Sequence, residues 1–436
     1  MFDDFKPTRK LLPPDEGVGE SVKKHLPDPD LNIVMDEKDH IVEAFENVET
    51  NDDESEVTSN NSSNLRSRQM KIKNKKTKIS VWWNNLSTKK KWLFIGFCTL
   101  VLALLAVGGY FTYKHFNKVK PVSVQTGPII KKTTPTINTV ASRLTGIQVT
   151  PDLANMPVTA VMIENSLEAR PQSGLSEAGI VFEAQAEGGI TRFMALYEEG
   201  QPSSLGPVRS ARPYFIDWML PYDAPYSHVG GSPDALTEIQ TLGVKDLNEF
   251  YNGSYYERIS QRAAPHNVYT SMSNLLTLEK SKGWTSSNFT GWPRKKDLPS
   301  KTPNATSIDL SEGSPDYDVH YDYAAKTNSY LRSEGGSSMV DANTNQQLNP
   351  KVVVAMVVPL SSGALDASGA YYSDYQDVGS GTVYIFQDGI LTQGTWNKPT
   401  QASAITFTSA SGTPINLNAG QTWVTVVSST SAVSYK

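Results

Sequence analysis

The chain has 436 residues, with 40 Lys+Arg against 45 Asp+Glu, six His and one Cys. The length fits two to three domains, and a single cysteine excludes a disulfide scaffold or a Cys-rich zinc site. The net charge of −5 conceals a partition that excludes a uniform globule: residues 1–60 hold 17 acids and 6 bases, residues 61–91 hold 10 bases and no acid, and the remainder holds 24 bases and 28 acids.

Residues 1–60 are acidic and poor in aromatics, with stretches such as PPDEG, LPDPD and NDDESEVTSN. Such a segment buries too little apolar surface to offset its ordering entropy, so a disordered tail is expected. Residues 61–91 follow as a basic collar in which Trp82 and Trp83 are interleaved with lysines. Directly beside an apolar helix, this composition points to anionic lipid as the partner of residues 66–91, and not to nucleic acid.

From Trp92 to Tyr113 run 22 residues without a charge, bounded by Lys91 and Lys114. As a helix this run spans roughly 33 Å, enough to cross a hydrocarbon core of ~30 Å. Trp92 at one end and Tyr110, Phe111 and Tyr113 at the other supply interfacial aromatics. A cleaved leader is not expected so far into the chain. The ten bases of residues 61–91 place the N-terminus in the cytoplasm and everything after the helix outside it, in the cytoplasmic membrane with a single pass. Cys98 lacks the small preceding residue that lipidation requires, since Phe97 stands there. Residues 114–150, rich in Pro, Thr and Lys, read as an extracytoplasmic stalk, and folded sequence is expected from about Pro151.

In residues 151–300 short apolar runs alternate with helical patterns. Val158–Ile163, Ile180–Phe182, Phe193–Tyr197 and Ala224–Val229 are strand candidates, Arg212–Leu220 has helical spacing, and Ser232 caps a helix that ends at Gly243. The alternation predicts an α/β layered domain. Residues 301–436 turn to Ser, Thr, Gly and Val. Strands are expected at 319–323, 328–332, 352–358, 383–387, 390–392, 395–396, 405–407, 415–417 and 423–427, with a hairpin turn at Asp388-Gly389. A smaller, mainly-β domain follows from this, a sandwich or barrel in which Trp396 and Trp423 either pack the core or stack on sugar rings.

The run AVMIENSLEARPQSGLSEAGIVFEAQAEGGITRFMALYEE, then GPVRSARPYFIDW, HVGGSPDAL, Tyr256-Glu257-Arg258 and Ala264-Pro265-His266-Asn267-Val268-Tyr269, resembles the YerB-like family of bacterial envelope proteins. The resemblance covers nearly everything from residue 155 onward and implies paired N- and C-terminal domains of uncharacterised function. It also aligns Tyr330, Arg332 and Asp341 with a pattern of the family's second domain. Members are often lipoproteins, whereas this chain carries a helix and a tail instead.

The densest polar set is Arg170, Glu183, Glu187, Arg192, Arg209, Ser210 and Arg212. Arg209 and Arg212 flank a strand-to-helix junction, where two guanidinium groups and free helix N–H groups suit a phosphate or carboxylate. The same arginines could instead be neutralised by Glu164, Glu183 and Glu187. The layout also resembles that of LytR–CpsA–Psr phosphotransferases, which implies a polyprenyl-phosphate-linked glycan as partner, although Ser210-Ala211 replaces their Arg-Asp-Thr hallmark. Glu183 and Glu187 are candidates for paired acid–base cleavage of a glycan strand. His228 and His266 suit proton transfer, ligand contact or a structural hydrogen bond. No spacing points to a metal or cofactor. Three functions stay open: binding of an anionic or glycan component of the cell wall, an envelope enzyme, or a scaffold for protein partners of the cytoplasmic tail.

Overall fold

The computed structural model describes residues 83–116 and 138–436, apart from residues 312, 366–368 and 370. The expected acidic tail, residues 61–82 of the basic collar and residues 117–137 of the stalk lie outside the described residues. The chain divides into two compact units, Met1–Ile129 and Ile130–Lys436.

The described part of the first unit is helix α1 (Thr88–Phe116), slightly longer at both ends than the uncharged run. Nothing in the run breaks it: it lacks proline, and its hydroxyls turn back on the helix, as when Thr99 Oγ1 donates to Gly96 O at 2.9 Å. Residues Thr88–Tyr110 are long and apolar enough to cross a membrane, and none of their side chains is buried by protein.

The second unit is mixed and sheet-rich. It begins ahead of the expected Pro151, because Val140–Ala141 pair with Gln148–Val149 and drive Leu144 into the core. Strands β1 (Thr159–Glu164), β2 (Ile180–Glu187) and β3 (Ile190–Tyr197) follow, all close to the predicted apolar runs. Helix α2 (Pro213–Met219) starts on the expected proline. Strand β4 (Tyr226–Ser227) is shorter than expected. In helix α3 (Pro233–Thr241) Ser232 accepts the N-cap bond from Ala235 N, and Gly243 follows its C-terminus at φ +64°. Helix α4 (Met272–Ser281) closes this stretch.

Beyond residue 300 nearly every element is a strand: β5 (Ser307–Leu310), β6 (Val319–Ala324), β7 (Ser329–Glu334), β8 (Ser337–Ser338), β9 (Val352–Val357), β10 (Leu360–Leu365), β11 (Tyr371–Tyr375), β12 (Gly379–Gln387), β13 (Ile390–Lys398), β14 (Thr406–Ser409), β15 (Thr422–Val427) and β16 (Val433–Tyr435). The turn between β12 and β13 holds Asp388 and Gly389 at φ 59° and 75°, the left-handed pair a two-residue hairpin needs.

These strands do not close into the expected sandwich or barrel. They join the first stretch in one sheet of order β14-β13-β12-β9-β15-β2-β3-β1-β4. The join is parallel, with β15 between β9 and β2, so that Trp423 lies opposite both Val353 and Val181. A central strand is covered on both faces, which is why VVVAMV and TWVTVV read as unbroken apolar runs. One face packs Met162, Phe182, Met194, Val354 and Val424 against Trp218 of α2 and Ile239 of α3. The other packs Val181, Phe193 and Trp423 against Met272, Leu275 and Leu278 of α4. Farther along the same face, Val353, Ala355 and Phe386 meet Ile308, Val319 and Tyr321 of a five-stranded meander, β8-β7-β6-β5-β16. Trp396 and Trp423 are buried, the core alternative of the two weighed for them.

Glu183 of β2 and Arg332 of β7 form an ion pair at 2.7 Å with neither side chain exposed. Trp423 Nε1 and Thr425 Oγ1 donate to the other carboxylate oxygen at 2.8 and 3.0 Å, while Arg332 stacks over the Trp423 ring at 4.3 Å. Burial alone would lower the Arg332 pKa, and Glu183 with Tyr321 outweighs it and raises it further. Removing one partner strands a buried charge. Arg332→Met or Glu183→Leu alone should cost about 3–5 kcal/mol in denaturant unfolding. The double variant should recover most of that loss, and strictly additive losses would show that the two groups are not coupled.

A second polar knot joins α2 and α3 to the end of β13. Gln401 Nε2 donates to Asp217 Oδ1 at 2.8 Å and to Glu238 Oε1, with Asp377 nearby. Burial, reinforced by Asp217, pushes both Glu238 and Asp377 up to about 7. A carboxyl whose folded pKa is raised contributes its stability at low pH and loses it as pH rises through the folded value. The melting temperature should therefore fall as pH is raised from about 4 to about 7 and level off above that, and Asp377→Asn should reduce the fall. A profile unchanged by Asp377→Asn would remove the knot as its source.

Candidate functional site

The polar residues singled out by the sequence separate into three groups. Even-numbered residues of β2, Phe182 and Ala184, face the helices α2 and α3, and Val181 and Glu183 face the other way. Regular alternation would keep Glu187 beside Glu183. The register slips instead: Gln185 pairs with Thr191, but Glu187 pairs with Ile190. That one-residue bulge turns Glu187 onto the face of Arg192, which it shares with Met194 and Leu196. The two carboxylates thus lie on opposite faces of the sheet, and no single glycosidic bond reaches both.

Glu187 is instead clamped by two arginines, with Arg192 Nη2 and Arg212 Nη2 each 2.6 Å from one of its oxygens. Burial would raise its pKa, but Arg192 and Arg212 prevail and hold the carboxyl below its ordinary value. Arg192 Nη1 also donates to the Ser210 carbonyl at 2.9 Å, and Arg212 lies over the Tyr372 ring at 4.9 Å. Arg209 and Arg212 therefore do not converge: Arg212 turns to Glu187 and Arg209 to Glu164. His228 is fully buried, with Nδ1 against Gly230 O at 2.7 Å and Nε2 against Asp246 Oδ1 at 3.0 Å, so it serves the fold. Tyr330, Arg332 and Asp341 are likewise buried, Tyr330 OH accepting from Gly389 N and Asp341 Oδ2 from Ser176 N.

The third group gathers residues distant in sequence around Glu164 at the end of β1. Its Oε1 meets Arg209 Nε at 3.1 Å, His266 Nδ1 at 3.0 Å and Ser166 Oγ at 3.2 Å. Ser166 Oγ also lies 3.2 Å from the same His266 Nδ1. A nucleophile relay needs the imidazole to span acid and hydroxyl with its two nitrogens. Here both crowd one nitrogen, so the arrangement is not a catalytic triad. His266 Nε2 and both terminal nitrogens of Arg209 have no hydrogen-bond partner among the described residues.

Beside them opens a cavity of about 500 Å³, lined by Glu168, Arg170, Gln261, Arg262, Ala263 and His266. Arg262 is held by carbonyls, donating to Glu168 O and, at 2.8 Å, to Pro171 O. Arg170 is fixed by Glu334 Oε1 at 3.0 Å, Asn165 Oδ1 at 3.2 Å and Asp316 O at 3.1 Å. Two arginines, Arg170 and Arg262, and His266 thus line one opening together with the acid Glu168, while Arg209 lies behind it on Glu164, and Glu164 and Glu334 are buried. Such a set can hold a phosphate or carboxylate by charge-assisted hydrogen bonds. Among the described residues no cluster of His, Cys, Asp and Glu is arranged to hold a metal ion.

The sequence singled out Arg170, Arg209 and His266 for this site but missed Arg262. Arg262 stands in the aperiodic stretch SQRAAPH, and only its place between two aligned motifs marked it.

Residues 144–285 match the family model described as "Protein of unknown function (DUF3048) N-terminal domain", and residues 308–424 match the corresponding C-terminal domain. The chain is 30% identical over 295 residues to "Putative lipoprotein YerB" of Bacillus subtilis (strain 168), covering 67% of this chain and 87% of that protein. The crystal structure of YerB protein from Bacillus subtilis matches with a TM-score of 0.60 at 27% identity, over 68% of this chain and 99% of the other. By both its sequence and its fold, the chain belongs to the YerB-like family, with the paired N- and C-terminal domains that define it.

Proposed function

We propose that this protein is anchored in the cytoplasmic membrane by α1, with its N-terminus inside, and that its folded unit binds an anionic component of the cell envelope. The anchor reading is supported by an apolar helix of membrane-crossing length and by a relative described as a lipoprotein. The orientation is supported by the ten bases before the helix, which also suit anionic lipid at residues 66–91.

The observation that carries the binding reading is the set of donors left over at and behind one opening: Nε2 of His266 on its lining and both terminal nitrogens of Arg209 behind it, beside Arg262, whose partners among the described residues are carbonyls and Tyr269 and not a carboxylate. Arg192 and Arg212 serve differently. Their donors are taken by Glu187 and by backbone, so they stabilise the fold. A phosphate- or carboxylate-bearing wall polymer is the ligand class that fits a cationic mouth outside the membrane.

The test is calorimetric titration of the detergent-solubilised full chain with pyrophosphate. Each charge-assisted hydrogen bond is worth about 1.5–3 kcal/mol, so Arg262→Ala and Arg209→Ala should each weaken binding roughly tenfold or more. Arg212→Ala should instead leave the affinity unchanged and lower the melting temperature. Affinity indifferent to both Arg209→Ala and Arg262→Ala would overturn the proposal.

A further inference from the structure

The opening lined by Arg170, Arg262 and His266 has one feature that a plain anion does not use: Glu168 stands on the same lining. The residue lies in the short helical turn Leu167–Ala169, directly before Arg170, and it is exposed. Its main-chain carbonyl is occupied, since Arg262 Nη1 donates to it. Its carboxylate is not, for among the described residues it has neither an ion pair nor a hydrogen bond.

That freedom follows from how the two arginines are held. Arg170 commits Nε, Nη1 and Nη2 to Asn165, to Asp316 O and to Glu334. Arg262 is turned to the carbonyls of Glu168 and Pro171. The opposite charges nevertheless share one neighbourhood around the Tyr317 hydroxyl. Burial raises its pKa, Arg170, whose guanidinium lies over the ring at 5.0 Å, lowers it, and Glu168 is among the acids that raise it. A self-neutralised mouth would close the acid onto the arginines, as Glu187 is closed between Arg192 and Arg212. Here the two signs stand apart around a space of about 500 Å³, within the ~300–1,000 Å³ of small-molecule sites.

Resting on the anion-binding reading above, we infer that this opening takes a zwitterion, a phosphate ester that also carries an ammonium group. The phosphate lies towards Arg262 and His266, and the ammonium lies towards Glu168. An anion without the ammonium meets the repulsion of Glu168 together with the attraction of the cations, and a simple cation meets the reverse. The zwitterion matches both signs at once. Complementarity of this kind selects between ligands more than it adds raw affinity. An aminoalkyl phosphate is the chemistry shared by a free monoester and by the diester of a lipid headgroup.

The full chain, solubilised in a non-ionic detergent, is titrated with ethyl phosphate, phosphoethanolamine and glycerophosphoethanolamine. One exposed ion pair predicts that phosphoethanolamine binds about threefold to fivefold more tightly than ethyl phosphate, which has the same phosphate and carbon chain without the ammonium. Glu168→Gln should bring that ratio to about one, by weakening phosphoethanolamine and strengthening ethyl phosphate, and should leave the melting temperature unchanged. Tighter binding of the diester than of phosphoethanolamine assigns the ligand to a lipid headgroup, and the reverse assigns it to a free monoester. Equal affinity of ethyl phosphate and phosphoethanolamine for the unaltered chain, or a preference that survives Glu168→Gln, would overturn the zwitterion. Failure of both to bind would instead overturn the anion-binding reading, so the two ideas fail separately.

Discussion

The Glu183–Arg332 ion pair is the constraint on which the folded unit turns. Its partners come from strands 149 residues apart in sequence, and both side chains are wholly withdrawn from water. Desolvating two charges is tolerable only when every lone pair and N–H finds a partner. Trp423, Thr425, Tyr321 and Glu334 supply them, and they come from three further strand positions in the C-terminal stretch and one on β7 itself. None of these residues can shift without leaving a buried polar group unpaired. The pair therefore fixes the register in which β15 slides between β9 and β2, and with it the single sheet that the two family domains share.

Much of this was legible from composition and periodicity. The apolar runs located β1, β9 and β15 within a residue or two, because a strand covered on both faces needs a side chain that is apolar at nearly every position, and they marked only the apolar parts of β2 and β3, which extend through Glu187 and back to Ile190. Asp388-Gly389 and Ser232 announced a turn and a cap because the backbone geometry at those places admits few residues. Pairing between distant strands is a different matter. Nothing local in TWVTVV says that its neighbour is IVFEAQAE, some 240 residues earlier, and two domains closed on themselves satisfy the same pattern. The bulge after Gln185 is equally silent. It is one extra residue in an ordinary strand, yet it decides that Glu187 faces Arg192 and not Glu183.

The arginines illustrate the same limit at the level of chemistry. Arg192, Arg209 and Arg212 look alike in sequence, and what separates them is how many of their nitrogens the fold has already taken. Arg192 and Arg212 are nearly closed off from solvent, and two guanidinium groups sharing one carboxylate have little left to offer a ligand. Arg209 spends one nitrogen on Glu164 and keeps two. Among the described residues Arg262 has no carboxylate partner, only carbonyls and a contact with Tyr269. Function in a basic cluster follows from this accounting of donors more than from charge.

The candidate site is also mechanically tied to the central pair. Arg332 reaches Glu334 Oε2 at 3.3 Å, and Glu334 Oε1 holds Arg170 at 3.0 Å, so one buried carboxylate lies between the arginine of the core and the arginine of the opening. Burial pushes that carboxyl up to about 7, with Arg332 opposing and Glu183 reinforcing the rise. A proton on Glu334 takes away the negative charge that Arg170 faces and leaves the guanidinium freer for an external anion. A ligand that satisfies Arg170 from outside competes, in turn, for the group that Glu334 neutralises. In the proposed binding of an anion, affinity and the ionisation of Glu334 would be linked through Arg170, with acidification favouring the bound state. The same buried network that makes the sheet specific also holds Arg170 in place before any ligand arrives, and such preorganisation limits the ordering cost of binding.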